Sequence, residues 1–260
     1  MVILLLVLLA GLGGWREGLD HVWLQVLIAL VVTAAIQSAA TFLRLRKVAP
    51  PESGLISGLM VALILGPGAP PATVALAAGL AVGSKQLLRV GHFHLFNPAA
   101  AGLLGALLLV PAGQSWWGAL ADLPAQYLAI PLLGGSIVVW RVKKEACTLA
   151  FFGAYFAAFT LAALVLPGLA PAIAAVFRPP FINAALFSGF LMLTDPATSP
   201  TRSRDQLVFG AMAAVVSAAA FLGIHGLHFL FIGLLVANAW YAWRRTTLSH
   251  DRQETLATAA

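Results

Sequence analysis

Charged residues are scarce in this chain of 260 residues, and their scarcity excludes an ordinary soluble fold. Aspartate, glutamate, lysine and arginine make up 9% of the residues, whereas apolar and aromatic residues make up 61%. A soluble protein carries about 25% charged residues, because most of its surface faces water. Most of the surface of this protein is therefore expected to face something other than water.

Cysteine is nearly absent as well. Cys147 is the single cysteine, which excludes internal disulfides and an iron–sulfur cluster held by cysteines of this chain. The sequence also has no Walker loop, dinucleotide fingerprint, zinc-ligand spacing or nucleophile elbow. We therefore predict no catalytic residues and no metal site, and doubt that the chain is an enzyme by itself.

The apolar residues form long, nearly unbroken blocks, such as residues 22–43 and 208–222. A helix crosses a hydrocarbon core of about 30 Å with roughly 20 such residues, and the alternation typical of membrane barrels is missing. These features predict an all-α polytopic membrane protein with about ten transmembrane helices. The predicted spans are residues 1–15, 21–43, 53–66, 71–90, 96–111, 125–140, 146–166, 181–194, 207–223 and 226–243.

The basic residues predict the orientation of these spans. With a cytoplasmic amino terminus, only Arg16 and Arg178 of the 15 lysines and arginines lie on the outer side. Positive residues favour cytoplasmic loops, so we predict a multi-pass protein of the cytoplasmic (inner) membrane with both termini in the cytoplasm. The same distribution makes nucleic acid an improbable partner for the net charge of +6. The residues on the cytoplasmic side are Arg44, Arg46, Lys47, Lys85, Arg89, Arg141, Lys143, Lys144, Arg202, Arg204, Arg244, Arg245 and Arg252.

Tryptophan and proline mark the ends of the blocks. Indole rings favour the boundary between hydrocarbon and headgroups, and proline interrupts helices. The tryptophans predicted to be interfacial anchors are Trp15, Trp23, Trp116, Trp117 and Trp240.

Two short spans predict an internal repeat. Superimposing Ser57-Gly58 on Ser188-Gly189 places the third span on the eighth, and the same offset places the fourth on the ninth and the fifth on the tenth. Because five spans reverse the direction of the chain, the second copy must be inverted. We predict repeats at 1–112 and 125–245, a connecting loop at 113–124 and a cytoplasmic tail at 246–260.

Polar strings at the ends of the short spans each allow two interpretations. The string 194–200, with Asp195 and two prolines, is ordinarily a helix stop, and Asn97 before Pro98 is ordinarily a helix cap. The small face of Ser53, Ser57 and Gly58 ordinarily packs against another helix. Ends of interrupted helices can instead hold an ion or the polar edge of a cofactor.

A basic rim precedes the fifth span and also allows two interpretations. It consists of Lys85, Arg89, His92 and His94. These residues fit the charge distribution expected of a cytoplasmic loop. They can equally receive an anionic cofactor or an acidic partner.

Several strings occur in a distinctive order along the chain: 53–59 (SGLISGL), Ser84-Lys85, 96–102 (FNPAAAG), 193–200 (LTDPATSP) and Phe209-Gly210. Their order and spacing resemble the NqrB/RnfD family, the membrane subunits of the sodium-pumping NADH:quinone reductase and of the Rnf electron-transport complex. The resemblance covers nearly the whole chain. It implies ten helices in two repeats, and a subunit that carries flavin within a multi-subunit complex.

The resemblance fails where family members attach FMN to a threonine after the fifth helix. Between Gly102 and Tyr127 this chain has no threonine. We therefore predict that a flavin, FMN or riboflavin, is bound without a covalent bond. The predicted cofactor-binding residues are Ser53, Ser57, Gly58, Lys85, Asn97, Thr194, Asp195, Thr198 and Ser199.

These observations favour a membrane subunit of an Rnf- or Nqr-like redox complex that does not act alone. Its expected partners are the other subunits, a cytoplasmic flavoprotein or iron–sulfur donor, lipid, and quinone or an outer acceptor. One alternative is a transporter or channel for a small neutral solute, because inverted repeats with broken helices are common in transporters. Another is a structural subunit without a ligand.

Overall fold

The computed structural model describes residues 1–47, 49–90, 93–224 and 226–258, and these residues are largely helical. A two-stranded antiparallel hairpin pairs β1, Arg89–Val90, with β2, Phe93–His94. His92 of the basic rim lies outside the described residues. The α-helices are α1 Val2–Glu17, α2 Leu19–Leu45, α3 Glu52–Ile64, α4 Pro71–Leu87, α5 Pro98–Leu109, α6 Ala129–Val142, α7 Glu145–Val165, α8 Ala170–Val176, α9 Phe181–Phe187, α10 Ser203–Ile224 and α11 Phe229–Thr258.

Each predicted span coincides with a helix, and the structure is that of a polytopic helical membrane protein. Within the described ranges, four helical segments are long and apolar enough to cross a bilayer: 22–45, 125–142, 145–165 and 203–224. A fifth candidate is the pair Pro167–Val176 and Phe181–Met192, which is bent by 57°. The helices α3 and α5 are apolar but short. The count of ten crossings stays a prediction.

Helix boundaries differ most from the predicted ones in two places. An additional short helix, α8, lies between α7 and α9. The predicted tail at 246–260 is helical over most of its length, because α11 continues to Thr258. Residues 244–258 contain no glycine or proline, so nothing in this stretch stops the helix once it has left the apolar region.

Turns that the charge pattern assigns to one side contact one another. Lys144 Nζ donates to the carbonyl of Ser199 at 3.1 Å, which joins the turn before α7 to the turn before α10. Arg44 Nη2 donates to the carbonyl of Gln86 at 2.9 Å, which joins the end of α2 to the end of α4. Each bond therefore places the two turns that it joins at the same end of the helix bundle. Which end faces the cytoplasm stays a prediction.

The predicted connecting loop is a packed structural element rather than an exposed link. We call residues 113–120 the outer plug, after the side of the membrane that the charge pattern predicts for them. Helix α3 ends inside the protein at Ile64, and its last carbonyls have no helical partners. The backbone N–H of Trp116 donates to the carbonyl of Ile64 at 3.1 Å, and Trp117 Nε1 donates to that of Ala62 at 2.8 Å. Gln25 Nε2 donates to the same Ala62 carbonyl at 2.7 Å.

The prediction that Trp116 and Trp117 anchor the membrane interface is wrong. Their side chains are 0% and 2% exposed, whereas Trp15 and Trp23 are more than half exposed. The Trp116 ring stacks on Phe231 with 5.3 Å between ring centroids. The carbonyls at the end of α3 are buried and need hydrogen-bond donors. Trp116 and Trp117 supply these donors, and their apolar rings fill the surrounding space, so both residues are buried.

Candidate functional site

A cavity of about 140 Å³ lies where the first turns of α3 and α5 meet the last turns of α4 and α6. Helix α9 continues as a π-helical turn, Ser188–Met192, and the segment that follows closes one side of the cavity. Single π-helical turns occur frequently at functional sites. The cavity is lined by Val2, Ser53, Ile56, Ser57, Met60, Lys85, His94, Asn97, Pro98, Ala99, Val138, Val142, Leu191, Thr194, Asp195, Pro196 and Ala197.

Lys85 is the cation of this cavity. Its side chain is only 5% exposed, and Nζ donates to Ser53 Oγ at 2.7 Å. Ser57 lies one turn further along α3 and donates to the Ser53 carbonyl at 3.0 Å. An ammonium group has three N–H donors, so Lys85 can donate to a ligand without giving up the Ser53 bond.

Asn97 fixes the first turn of α5 against the end of the π-helical turn. Its Oδ1 accepts from the Ala100 N–H at 3.1 Å, which is the helix cap that the sequence predicts. Its Nδ2 donates to the Met192 carbonyl at 3.1 Å. Asn97 therefore both caps a helix and lines the cavity, and the two interpretations of this residue are compatible.

Asn238 is a member of this network that the sequence reasoning missed. It lies on α11, where its Oδ1 accepts from the backbone N–H of Asn97 at 2.9 Å. Its Nδ2 donates to the Thr198 carbonyl at 3.1 Å. The sequence does contain one indication of this role: Asn238 is the single side-chain amide in the apolar block 226–243. A polar side chain buried in such a block needs hydrogen-bond partners.

Asp195 is a half-buried carboxylate at the edge of the cavity. It accepts from the Ala197 N–H at 3.1 Å and from Thr198 Oγ1 at 3.2 Å, as in an aspartate-led turn. Burial raises the pKa of Asp195 above its ordinary value, whereas these two bonds and the charges of Lys85 and Lys144 lower it in part. The hydrogen bonds of Asp195 are those of the predicted helix stop. Asp195 also lines the cavity.

Lys144 supports the same segment from outside the cavity. The side chain is 3% exposed, and Nζ donates to the carbonyls of Ser199 and Pro200. The sequence reasoning counted Lys144 only as a topology charge. Adjacent lysines at 143 and 144 gave no sign that one of them is buried.

Three predicted site residues lie outside the described lining of the cavity. A Cβ on Gly58 would lie 2.5 Å from Thr33 Oγ1 and 2.9 Å from the carbonyl of Ala29, so this glycine serves close packing of α3 on α2. Thr198 and Ser199 bond Asp195 and shape the segment behind the cavity wall. The structure thus brings Ser53, Ser57, Lys85, Asn97, Thr194 and Asp195 together at one cavity.

A comparison with known proteins finds similarity to a subunit of a membrane redox complex. The chain is 25% identical, over an alignment of 293 residues, to a subunit of the ion-translocating oxidoreductase complex of Klebsiella pneumoniae (strain 342). The alignment covers 82% of this chain and 83% of that protein. No protein-family model matches the chain. This similarity to a subunit of a redox complex agrees with the resemblance carried by the sequence strings.

The cavity fits a flavin only in part. Lys85 supplies a donor, and the buried Thr194 and the half-buried Asp195 supply oxygen atoms, which suits the carbonyl and imide groups at one edge of the ring system. Cavities of about 150 Å³ accept a molecule the size of benzene. A volume of about 140 Å³ therefore holds one ring, and a three-ring isoalloxazine requires the apolar walls to separate.

Proposed function

We propose that this protein is the membrane subunit of an Rnf-like electron-transport complex. The observation that carries the proposal is the similarity, along most of both chains, to a subunit of an ion-translocating oxidoreductase complex. A cavity at one end of the helices, with buried polar side chains on short helices, fits a subunit that holds a redox group. Other subunits of the complex, including a cytoplasmic flavoprotein or iron–sulfur donor, are its proposed partners.

The proposed cofactor is a non-covalent flavin whose polar edge enters the cavity. A flavin supplies one- and two-electron chemistry when bound. Residues of this chain would orient the flavin. Lys85 would donate to a ring carbonyl, and Asn97 holds the first turn of α5 against the end of the π-helical turn at the cavity. The apolar wall of the cavity, formed by Val138, Val142 and Leu191, excludes water. These side chains must move apart to admit a second ring.

We also propose ten crossings in two inverted repeats, residues 1–112 and 125–245. Two short helical segments support this proposal: α3 and the combined α9 and π-helical turn, which the repeat would superimpose. Both segments contribute lining residues to the same cavity. A half-helix from each repeat meeting at one site is a common arrangement in inverted-repeat membrane proteins.

The solute-transporter alternative is disfavoured by the outer plug. A transporter must open its site alternately to both sides of the membrane. The outer plug closes the far end of α3 through several backbone bonds, and a Cβ on its Gly118 would lie 2.6 Å from Leu63. A segment packed this closely resists the movement that solute passage requires.

The first experiment is a visible spectrum of the full chain, purified in mild detergent with its partners retained. We expect a flavin band, with the colour released into the supernatant by acid precipitation because no attachment threonine is present. Colour that stays with the pellet would show a covalent bond and overturn the non-covalent proposal. A colourless preparation that still contains the partners would refute the flavin proposal.

Replacing Lys85 with methionine tests the cavity as the place of binding. We expect the flavin content per protein to fall about 10- to 100-fold, since a hydrogen bond to a charged group contributes about 1.5–3 kcal/mol. The measurement is flavin absorbance relative to protein after gel filtration. Lys47→Met is the matched control, because this lysine is exposed and is not among the residues that line the cavity. Equal losses in both variants would place the flavin elsewhere.

A further inference from the structure

A groove of about 470 Å³ opens at the turn between α6 and α7. It is lined by Trp140, Arg141, Lys143 and Glu145. Both adjoining helical segments, 125–142 and 145–165, are long and apolar enough to cross a bilayer. The turn between two such helices lies where the chain leaves the hydrocarbon, so the groove lies at the level of the lipid headgroups.

The backbone that forms this groove is held in place. Lys143 ends α6 in the left-handed conformation, with φ of 57°. Its carbonyl accepts from Gln206 Nε2 at 3.0 Å, and the N–H of Lys144 donates to the Val139 carbonyl at 3.0 Å. The buried ammonium of Lys144 anchors the turn to Ser199. The exposed side chains of the groove are therefore carried on a fixed frame, which lowers the entropy lost when they bind a ligand.

Three charged side chains of the groove lack partners. Arg141, Lys143 and Glu145 are exposed, and within the described ranges no ion pair or hydrogen bond engages their side chains. Two cations beside each other suit a phosphate diester, which arginine can bind through two parallel bonds. The carboxylate of Glu145 in the same groove disfavours a purely anionic headgroup and suits a primary ammonium.

An apolar strip leads from the groove along α6. Leu133, Ile137 and Trp140 follow one another at helical spacing and are 67%, 53% and 70% exposed. An indole at this depth is typical of the membrane interface. Below the headgroup level, the strip offers a surface on which an acyl chain can lie.

We propose that this groove binds phosphatidylethanolamine. The phosphate lies between Arg141 and Lys143, the ammonium meets Glu145, and one acyl chain follows the strip from Trp140 towards Leu133. Charge complementarity selects this headgroup: its phosphate meets the two cations, and its primary ammonium donates to the one carboxylate. An anionic headgroup would leave that carboxylate without a partner, and the quaternary ammonium of choline has no N–H to donate to it. The site is separate from the cavity and does not depend on the proposed function.

Native mass spectrometry of the full chain, with lipids added to the delipidated protein, tests this assignment. The probes are the dioleoyl forms of phosphatidylethanolamine, phosphatidylcholine and phosphatidylglycerol. We expect the ethanolamine lipid to bind most tightly, and the Arg141→Gln/Lys143→Gln variant to bind it about 10- to 100-fold more weakly. Glu145→Gln is expected to remove the preference over phosphatidylglycerol.

The control is Arg46→Gln/Lys47→Gln, which removes another adjacent pair of exposed cations. Phosphatidylethanolamine affinity is expected to be unchanged in this variant. Three results would each overturn the assignment: an equal loss in the control, a preference for phosphatidylglycerol that Glu145→Gln leaves unchanged, or binding to the isolated chain that disappears in the intact complex. The last result would show that a protein partner covers the groove.

Discussion

Replacing Gly210 with alanine is expected to abolish the close packing of α10 on α7. A Cβ at this position would lie 2.2 Å from the carbonyl oxygen of Cys147 and 3.0 Å from the backbone nitrogen of Phe151. These are backbone atoms and cannot rotate away, so the two helices must separate. Small residues at such contacts let membrane helices approach closely. Overpacking costs about 1–3 kcal/mol, and the short distance to backbone atoms places this substitution at the upper end of that range.

The measurement for Gly210→Ala is the yield of monodisperse protein from membranes, followed by its thermal unfolding midpoint. A loss of about 3 kcal/mol corresponds to on the order of 10 °C on the scale of soluble proteins of similar size. Gly223→Ala is the matched control, because Gly223 lies on the same helix and a Cβ added there would meet nothing within 4 Å. Equal midpoints for the two variants would show that α7 and α10 do not pack as closely as the structure has them.

Helix positions could be predicted from the sequence because each depends on a run of neighbouring residues. The apolar blocks coincide with helices, and proline or glycine stands near most of their ends. Asn97 and Asp195 could be predicted as helix-end residues for the same reason. The hydrogen bonds that cap or stop these helices join residues at most three apart along the chain, so this part of the pattern is local.

Contacts between distant segments could not be predicted in this way. Asn238 bonds Asn97 from 141 residues away. Lys144 bonds Ser199 from 55 residues away. Trp116 stands at the end of an apolar block, as an interfacial anchor would, and only its contact with the end of α3 shows that it is buried. Residues of this kind are recognised by the buried polar groups to which they hydrogen-bond. Those groups are identified only once the packing of the helices is known.

The second large effect is expected from replacing Asn238 with leucine, which has a similar size and no hydrogen-bonding groups. The variant leaves the N–H of Asn97 and the carbonyl of Thr198 without their partners in a buried region. Each orphaned group costs about 1–3 kcal/mol. Because Asn97 also lines the cavity, we expect loss of any bound cofactor together with a lower thermal midpoint.

Asn183→Leu separates this effect from the simple loss of a buried amide. Asn183 Nδ2 donates to the Ala119 carbonyl at 2.9 Å, but its buried Oδ1 has no partner among the described residues. Leucine at this position orphans one carbonyl and removes one unsatisfied oxygen, so the two effects partly cancel. We expect Asn183→Leu to keep most of its stability and its cofactor content, whereas Asn238→Leu loses both. If the two variants behave alike in midpoint and cofactor content, the bonds of Asn238 do not position the cavity, and the connection between α11 and α5 is only a packing contact.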